Sequence, residues 1–307
     1  MVFPPEHILS LSDGRKISYA IFGDETCEKS VFYFHGFPSS RNEAHMFASS
    51  ARHFGIRLIA ADRPGYGSSS PQPGRCILDW SADLAALASH LDVTRYAVLG
   101  VSGGAPYALA MRHGSPDPRC VGVGVVCGFP PSTLGTEGMM MANRAIMGIA
   151  QWSTWIVAKA LNATVGSMVK TNNDEDQAKA EAKFGEQASK TWPKPDAEAW
   201  RADPDVRKAL MASMAGAFEQ GGTAAAWEFY LNGHDWGFKL EELSVKPGKM
   251  VFWHGTHDIN APIGKVEEMS RLIKHAELRI SMDDAHISVI PRKRDEIMET
   301  LGRMFSN

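Results

Sequence analysis

The sequence predicts an α/β fold: a mostly parallel central sheet with helices on both faces, divided by a helical insertion. Three observations carry this expectation. Short, continuously apolar runs such as Ser30–Phe34 and Arg57–Ala61 alternate with helical patterns, and unbroken apolarity is what a strand covered on both faces requires. The rhythm stops after Gly128 and resumes at Met250, with no convincing strand from Phe129 to Asp235. The turn Gly100-Val101-Ser102-Gly103-Gly104 joins the apolar run Arg95–Leu99 to the helical pattern Ala105–Met111, a strand–turn–helix unit of the kind α/β sheets are built from. The expected organisation is a core of residues 1–128 and 236–307 with a helical insertion, 129–235, covering it.

Taken in order, His7–Ser12 and Lys16–Phe22 flank Asp13-Gly14, a hairpin signal. Strand Ser30–Phe34 runs into His35-Gly36-Phe37-Pro38, and Asn42–Phe54 reads as a helix. Strand Arg57–Ala61 ends in Asp62-Arg63-Pro64-Gly65-Tyr66-Gly67. In Ile77–Leu91, the residues Leu78, Ala82, Ala85, Leu87 and Leu91 share one broad helical face. Cys120–Cys127 is a Gly/Val-rich strand. Helical patterns then cover Met139–Lys170, Glu175–Ser189, Asp205–Gln220 and Thr223–Leu231, separated by Pro193 and Pro195 and by Gly221-Gly222. Met250–Trp253 and Leu278–Ser281 read as strands, Ile263–His275 and Arg292–Phe305 as helices.

The 307 residues suffice for a large core, and 44% hydrophobic with 22% charged residues is ordinary for a globular protein. A net charge of −3 offers no basic footprint for nucleic acid. The four cysteines form no C-x-x-C pair and no zinc spacing, and Cys120 and Cys127 share one apolar strand, so buried free thiols are expected there rather than a disulfide. The first residues lack a basic region followed by an apolar one, and the last match no retention tripeptide, so the expected location is cytoplasmic. Ala145–Ala158 is uncharged but too short to span a bilayer, and no membrane partner is expected. His254 and His257 lack a third nearby ligand, so no metal is expected, and Gly122-Val123-Gly124 lacks the rest of a dinucleotide fingerprint. No cofactor is expected. Oligomeric state leaves no mark on the sequence.

The chemistry centres on Ser102. In G-x-S-x-G between strand and helix, the serine takes a strained conformation that exposes its Oγ, and the crowded flanks tolerate only glycine. The helix that follows aims its dipole at the serine. A nucleophilic serine needs a base, a group to orient that base, and donors for an oxyanion. Asp258 follows the strand Met250–Trp253, and His286 follows the next one. Asp283 and Asp284 compete with Asp258, but residues so close to His286 on one loop generally point elsewhere. Asp62 and Arg63 are read as knitting the loop below the site, and His35 as holding the neighbouring loop through side-chain hydrogen bonds.

The pieces His35-Gly36-Phe37-Pro38, Asp62 to Gly67, Gly100 to Gly104, Gly255-Thr256-His257-Asp258 and Ala285-His286 occur together in this order. With them the chain resembles the α/β-hydrolase fold superfamily over nearly its whole length, in the branch with a serine nucleophile and a helical lid. The resemblance implies Ser102 as nucleophile, His286 as general base and acid, and Asp258 as the carboxylate orienting it. It also implies an oxyanion hole from the backbone N–H groups of Phe37 and Gly103, and a lid at 129–235. Serine at the turn argues against the epoxide-hydrolase and haloalkane-dehalogenase branches, which use aspartate. A lid would make some of the insertion's Met and Trp side chains, among them Met147, Trp152 and Trp155, walls of a pocket for an apolar small molecule. The expected reaction is hydrolysis of a carboxylic ester, thioester or lactone through an acyl-enzyme. The same triad also serves C–C bond hydrolysis, lyase or cyclisation chemistry, and the fold can serve a ligand receptor.

Overall fold

The computed structural model describes residues 3–306 except 115, 172 and 244; Met1, Val2 and Asn307, which were read above for address signals, lie outside the described residues. Strands β1 (His7–Ser10) and β2 (Lys16–Gly23) form the expected antiparallel hairpin. It turns at Gly14, whose φ of 85° is open to glycine at little cost. There follow β3 (Ser30–Phe34), α1 (Ala48–His53), β4 (Arg57–Ala61), α2 (Trp80–His90), β5 (Tyr96–Val101), α3 (Ala105–Ala110) and β6 (Cys120–Val126). Helices α4 (Met141–Trp152), α5 (Thr154–Leu161), α6 (Ser167–Val169), α7 (Asp174–Thr191), α8 (Lys194–Ala202), α9 (Pro204–Ala217) and α10 (Thr223–Asn232) come next. The sheet then resumes with β7 (Met250–Gly255), α11 (Ile263–Leu272), β8 (Glu277–Ser281) and α12 (Val289–Arg303).

The eight strands make one sheet in the order β1-β2-β4-β3-β5-β6-β7-β8. β2 pairs antiparallel with β1 and β4, and the other neighbours are parallel. Alternate residues of each strand face opposite sides. Phe32, Phe34, Tyr96 and Val98 pack on one side with Trp80, Leu84 and Leu87 of α2 and Val266 and Met269 of α11. Val31, Tyr33, Ala97 and Leu99 pack on the other with Ala48 and Ala51 of α1 and Ile297, Met298 and Leu301 of α12. This double covering is why β3 and β5 carry no polar alternation: every residue of both strands is buried. A third cluster, including Met147, Val157, Leu161, Trp200, Met214 and Phe218, joins the helical segment to Tyr66 and Phe129.

Three elements depart from the sequence reading. Asn42–Phe54 is a 3-10 segment, Arg41–Phe47, followed by the shorter α1. The single pattern Met139–Lys170 breaks at Ser153, which is extended (φ −158°) and caps α5 by accepting the N–H of Ile156. The stretch around Pro193 and Pro195, read as a separator, contains α8. Pro195 lies in the first turn of α8, where a missing N–H removes no helical hydrogen bond.

Candidate active site

Ser102 follows the last residue of β5 and holds φ at 51°, a left-handed conformation costing on the order of 1–3 kcal/mol for a non-glycine residue. The turn is tight enough that a Cβ on Gly100 would lie 2.6 Å from the Gly104 carbonyl oxygen and 2.8 Å from the Ala108 Cβ. A Cβ on Gly104 would overlap the Phe34 carbonyl. The flanking glycines are therefore steric requirements, and α3 begins directly behind the serine.

Three loops at the carboxyl ends of parallel strands converge here, as open parallel sheets favour. His286, after β8, brings Nε2 to 2.9 Å from the Ser102 Oγ and Nδ1 to 2.7 Å from the Asp258 Oδ2. Because an ionised carboxylate can only accept, Nδ1 carries the proton, and the Nε2 lone pair is left to accept the serine hydroxyl. Asp258, after β7, is held in turn: its Oδ1 accepts the backbone N–H groups of Asn260 (2.8 Å) and Ala261 (2.9 Å). Burial alone would raise the pKa of Asp258, yet the imidazole beside it and these donors bring it below the usual carboxylate value. Burial likewise opposes protonation of His286, but the charges of Asp258 and Asp196 outweigh it and raise its pKa above the ordinary histidine value. The rival carboxylates are engaged elsewhere. Asp284 pairs with Arg292 (3.0 Å) and accepts the Ser281 hydroxyl, and Asp283 is exposed.

Beside the serine runs the loop His35–Pro38, with a cis bond between Phe37 and Pro38. A Cβ on Gly36 would lie 3.2 Å from the Ser102 Cβ, and one on Gly103 would strike the Phe37 ring, so the two loops touch. The backbone N–H of Phe37 has no hydrogen-bond partner among the described residues. Sequence reasoning missed Glu43, which is buried beneath this loop and accepts the Gly36 N–H (2.6 Å) and the Tyr33 hydroxyl (3.0 Å). His35 is tied in through Nδ1 to the Gly36 carbonyl (2.7 Å), and its Nε2 accepts the Arg63 N–H (3.2 Å). The Arg63 guanidinium donates to the carbonyls of His35 and Gly36 and pairs with Glu228 of α10 (2.8 Å), which also binds Arg75 (2.8 Å). Both Asp62 and Arg63 are fully buried, consistent with a role in knitting the loops.

A cavity of about 260 Å³ opens on Ser102 and His286, lined mainly by Phe37, Phe129, Phe184, Trp192, Leu210, Met214 and Phe229. Its character is apolar, as expected, but the expected walls are not the walls. Trp152 and Trp155 are 92% and 68% exposed and point away from it, and Met147 is buried in the packing between helices without lining it. Both sides of α4 are apolar, so the pattern could not say which side turns inward. Asp196 was missed as well. Carried by α8, its carboxylate accepts the backbone N–H groups of His286 (3.2 Å), Ile287 (2.9 Å) and Ser288 (2.8 Å). The one sequence signal for it was Pro195 at a helix start.

Ligand-type atoms of Cys127, His254 and Asp258 lie within 4.8 Å of one another. Asp258 is committed to His286 and two backbone donors, and His254 Nε2 to the Ala261 carbonyl (2.7 Å), so no separate chemistry is assigned to the group. His257 is exposed. Cys27, Cys76, Cys120 and Cys127 are free thiols. No helix among the described residues is long and apolar enough to cross a membrane.

The chain is similar in fold to several solved structures. An esterase from Thermogutta terrifontis superposes with a TM-score of 0.66 at 19% identity, over 98% of this chain and 100% of that one. The enol-lactonase from Burkholderia xenovorans LB400 does so with a TM-score of 0.66 at 15% identity, over 98% and 100%. A bromoperoxidase from Bacillus anthracis gives 0.63 at 16% identity, over 95% and 97%. No curated protein matches the chain. Residues 29–292 match the model of the alpha/beta hydrolase fold family, a span containing Ser102, Asp258 and His286; the chain belongs to the α/β-hydrolase fold family.

Proposed function

We propose that this α/β-hydrolase is a serine hydrolase that cleaves a carboxylic ester, thioester or lactone of an apolar small molecule. The observation that carries the reading is the continuous chain from the Ser102 Oγ through both nitrogens of His286 to Asp258, at the floor of an apolar cavity. In this reading His286 Nε2 takes the Ser102 proton as Oγ attacks the carbonyl carbon. The N–H groups of Phe37 and Gly103 receive the oxyanion. Protonated His286 then gives its proton to the leaving oxygen or sulfur, and the acyl group stays on Ser102. Water, deprotonated by the same nitrogen, attacks the acyl carbon and releases the acid. The segment 129–235 serves as a lid, with Phe184, Trp192, Met214 and Phe229 giving the acyl group an apolar seat. The esterase and lactonase among the similar structures favour oxygen-ester substrates over the C–C alternatives.

The test is a fluorophosphonate probe followed by an ester panel of varied acyl length. We expect covalent labelling of the wild type at Ser102, none in Ser102→Ala, and fastest turnover with short or aromatic acyl groups that fit about 260 Å³. An unlabelled wild type, beside a reference serine hydrolase that reacts, overturns the reading.

A further inference from the structure

The tryptophans expected to line the pocket stand in solvent instead, and they do not stand alone. Met141 (81% exposed), Ala145, Gly148, Ile149 (46%) and Trp152 (92%) recur at helical spacing along the outer face of α4. Trp155 (68%) and Ile156 (52%) continue the strip onto α5. Met147, Ala150, Val157 and Leu161 meanwhile anchor the inner faces of the two helices against the rest of the helical segment. The helices thus carry two apolar faces, of which the fold consumes one. Scattered exposed hydrophobic residues are normal, but a contiguous strip with two exposed tryptophans is not.

The charges carried by α4 and α5 themselves are of one sign, and the nearest acidic residue in sequence, Glu137, is paired with Lys265 (3.0 Å). Between Glu137 and Asp174 the chain has no acidic residue, whereas Arg144, Lys159 and Lys170 are all exposed. The Lys159 ammonium lies 5.6 Å from the Trp155 ring centroid, so a positive charge sits beside the exposed indole. This local basicity departs from the chain's net charge of −3.

We propose that α4 and α5 form a membrane-docking face that seats Trp152 and Trp155 at the headgroup boundary of an anionic bilayer, with Arg144 and Lys159 on the lipid phosphates. Tryptophan favours that boundary, and an amphipathic helix lying in it with basic flanks is a recognised mode of peripheral binding. A second copy of this chain is a poorer occupant. A two-fold contact sets a patch against a rotated copy of itself, which here would bring the basic residues of two strips together with no acidic residue on either strip to relieve them. This face replaces the expectation of no membrane partner, and it does not require a spanning helix. It also bears on the cavity. Asn143, on α4, lines it and donates to Asn260 (3.0 Å), so a wall of the cavity belongs to the docking helix.

The test is cosedimentation of the full chain with vesicles of phosphatidylcholine alone and of phosphatidylcholine with phosphatidylglycerol, with tryptophan emission read in parallel. The expected result is binding to the anionic vesicles with blue-shifted emission, weakened by high salt. The double variant Trp152→Ala/Trp155→Ala should bind at least about tenfold more weakly. Arg144→Glu/Lys159→Glu should lose about fivefold per charge removed, and more for the reversal. All four side chains are exposed, so both variants should melt with the wild type, which separates lost docking from lost folding. Absence of wild-type binding to anionic vesicles overturns the proposal, as does equal binding by the tryptophan variant. A concentration-dependent dimer abolished by the same variant, without vesicle binding, also overturns it and makes the face a self-association surface.

Discussion

Asp196, on helix α8, holds the backbone of His286: its carboxylate accepts three successive N–H groups, from His286, Ile287 and Ser288, at 3.2, 2.9 and 2.8 Å. The helical segment thereby grips the loop that carries the imidazole, and the helices that line the cavity and the proposed base share a fastening. Burial raises the pKa of Asp196, opposed by these donors and by His286. We infer that Asp196 is a positioning residue. Asp196→Ala leaves three N–H groups without their acceptor, which should cost on the order of 1–3 kcal/mol of stability per unsatisfied donor at most. It should lower kcat about tenfold or more by loosening the imidazole. Asp196→Asn keeps an acceptor oxygen and should recover most of kcat. Denaturation and kcat measured on both variants check this, and equal kcat loss in the two would refute positioning by hydrogen bonding.

The same carboxylate enters the pH profile. Only neutral His286 can accept the serine proton, and both Asp258 and Asp196 favour its protonated form. The acid limb of kcat/KM should therefore have its midpoint above the ordinary histidine value of about 6.5. Asp196→Asn removes one of the charges and should move that limb to lower pH, while activity at high pH changes little. A midpoint at or below about 6.5 in the wild type contradicts this electrostatic account.

Four aspartates, Asp196, Asp258, Asp283 and Asp284, lie near His286 in sequence or space, and only Asp258 is placed to orient Nδ1. Asp258→Asn should lower kcat by about 10³–10⁴-fold, because an amide in that position favours the wrong imidazole tautomer. Asp284→Asn, whose partners are Arg292 and Ser281, should stay within about tenfold of the wild type. The comparison is made on the best ester of the panel. Comparable losses in the two variants would assign the orienting role differently.

How far this site was legible depended on whether its parts are encoded locally. Ser102 is encoded by its own turn, where Gly100 is demanded by the Gly104 carbonyl and Ala108, while Gly103 and Gly104 answer to the Phe37 ring and the Phe34 carbonyl of the neighbouring loop and strand. Asp258 follows the buried apolar strand β7 and His286 the alternating edge strand β8, patterns that survive in the sequence, and their order along the chain supplied the rest. Glu43 and Asp196 leave no such mark: Glu43 accepts the N–H of Gly36 and the hydroxyl of Tyr33 just upstream, Asp196 accepts N–H groups of a loop far along the chain, and nothing in the sequence distinguishes either from an ordinary surface acid until the chain is folded. α8 was hidden for a related reason: proline interrupts a helix from inside but suits its first turn. The orientation of α4 was illegible because apolar side chains occupy both of its faces, and only docking against α10 decides which is buried.

Glu228 closes the connection between the helical segment and the loop His35–Pro38. Its carboxylate is completely buried between Arg63 and Arg75 at 2.8 Å each, with the Tyr107 hydroxyl donating at 3.0 Å. Arg63 in turn holds the carbonyls of His35 and Gly36 beside Ser102. Removing the shared anion leaves two buried guanidinium groups unpaired, so Glu228→Ala should cost about 3–5 kcal/mol. Glu228→Gln keeps the acceptor oxygen and should cost less. Burial alone would push the Glu228 pKa up, but the two arginines win and bring it below the ordinary glutamate value. A group whose pKa is lowered on folding stabilises fully above its unfolded pKa and loses that contribution as pH falls through the folded value. The stability gap between wild type and Glu228→Gln should accordingly be constant near neutrality and shrink below about pH 4.5. Urea denaturation of both proteins across that range checks the sign. A gap that widens on acidification would mean that Glu228 is protonated in the folded protein, and that the arginines are held by something other than its charge.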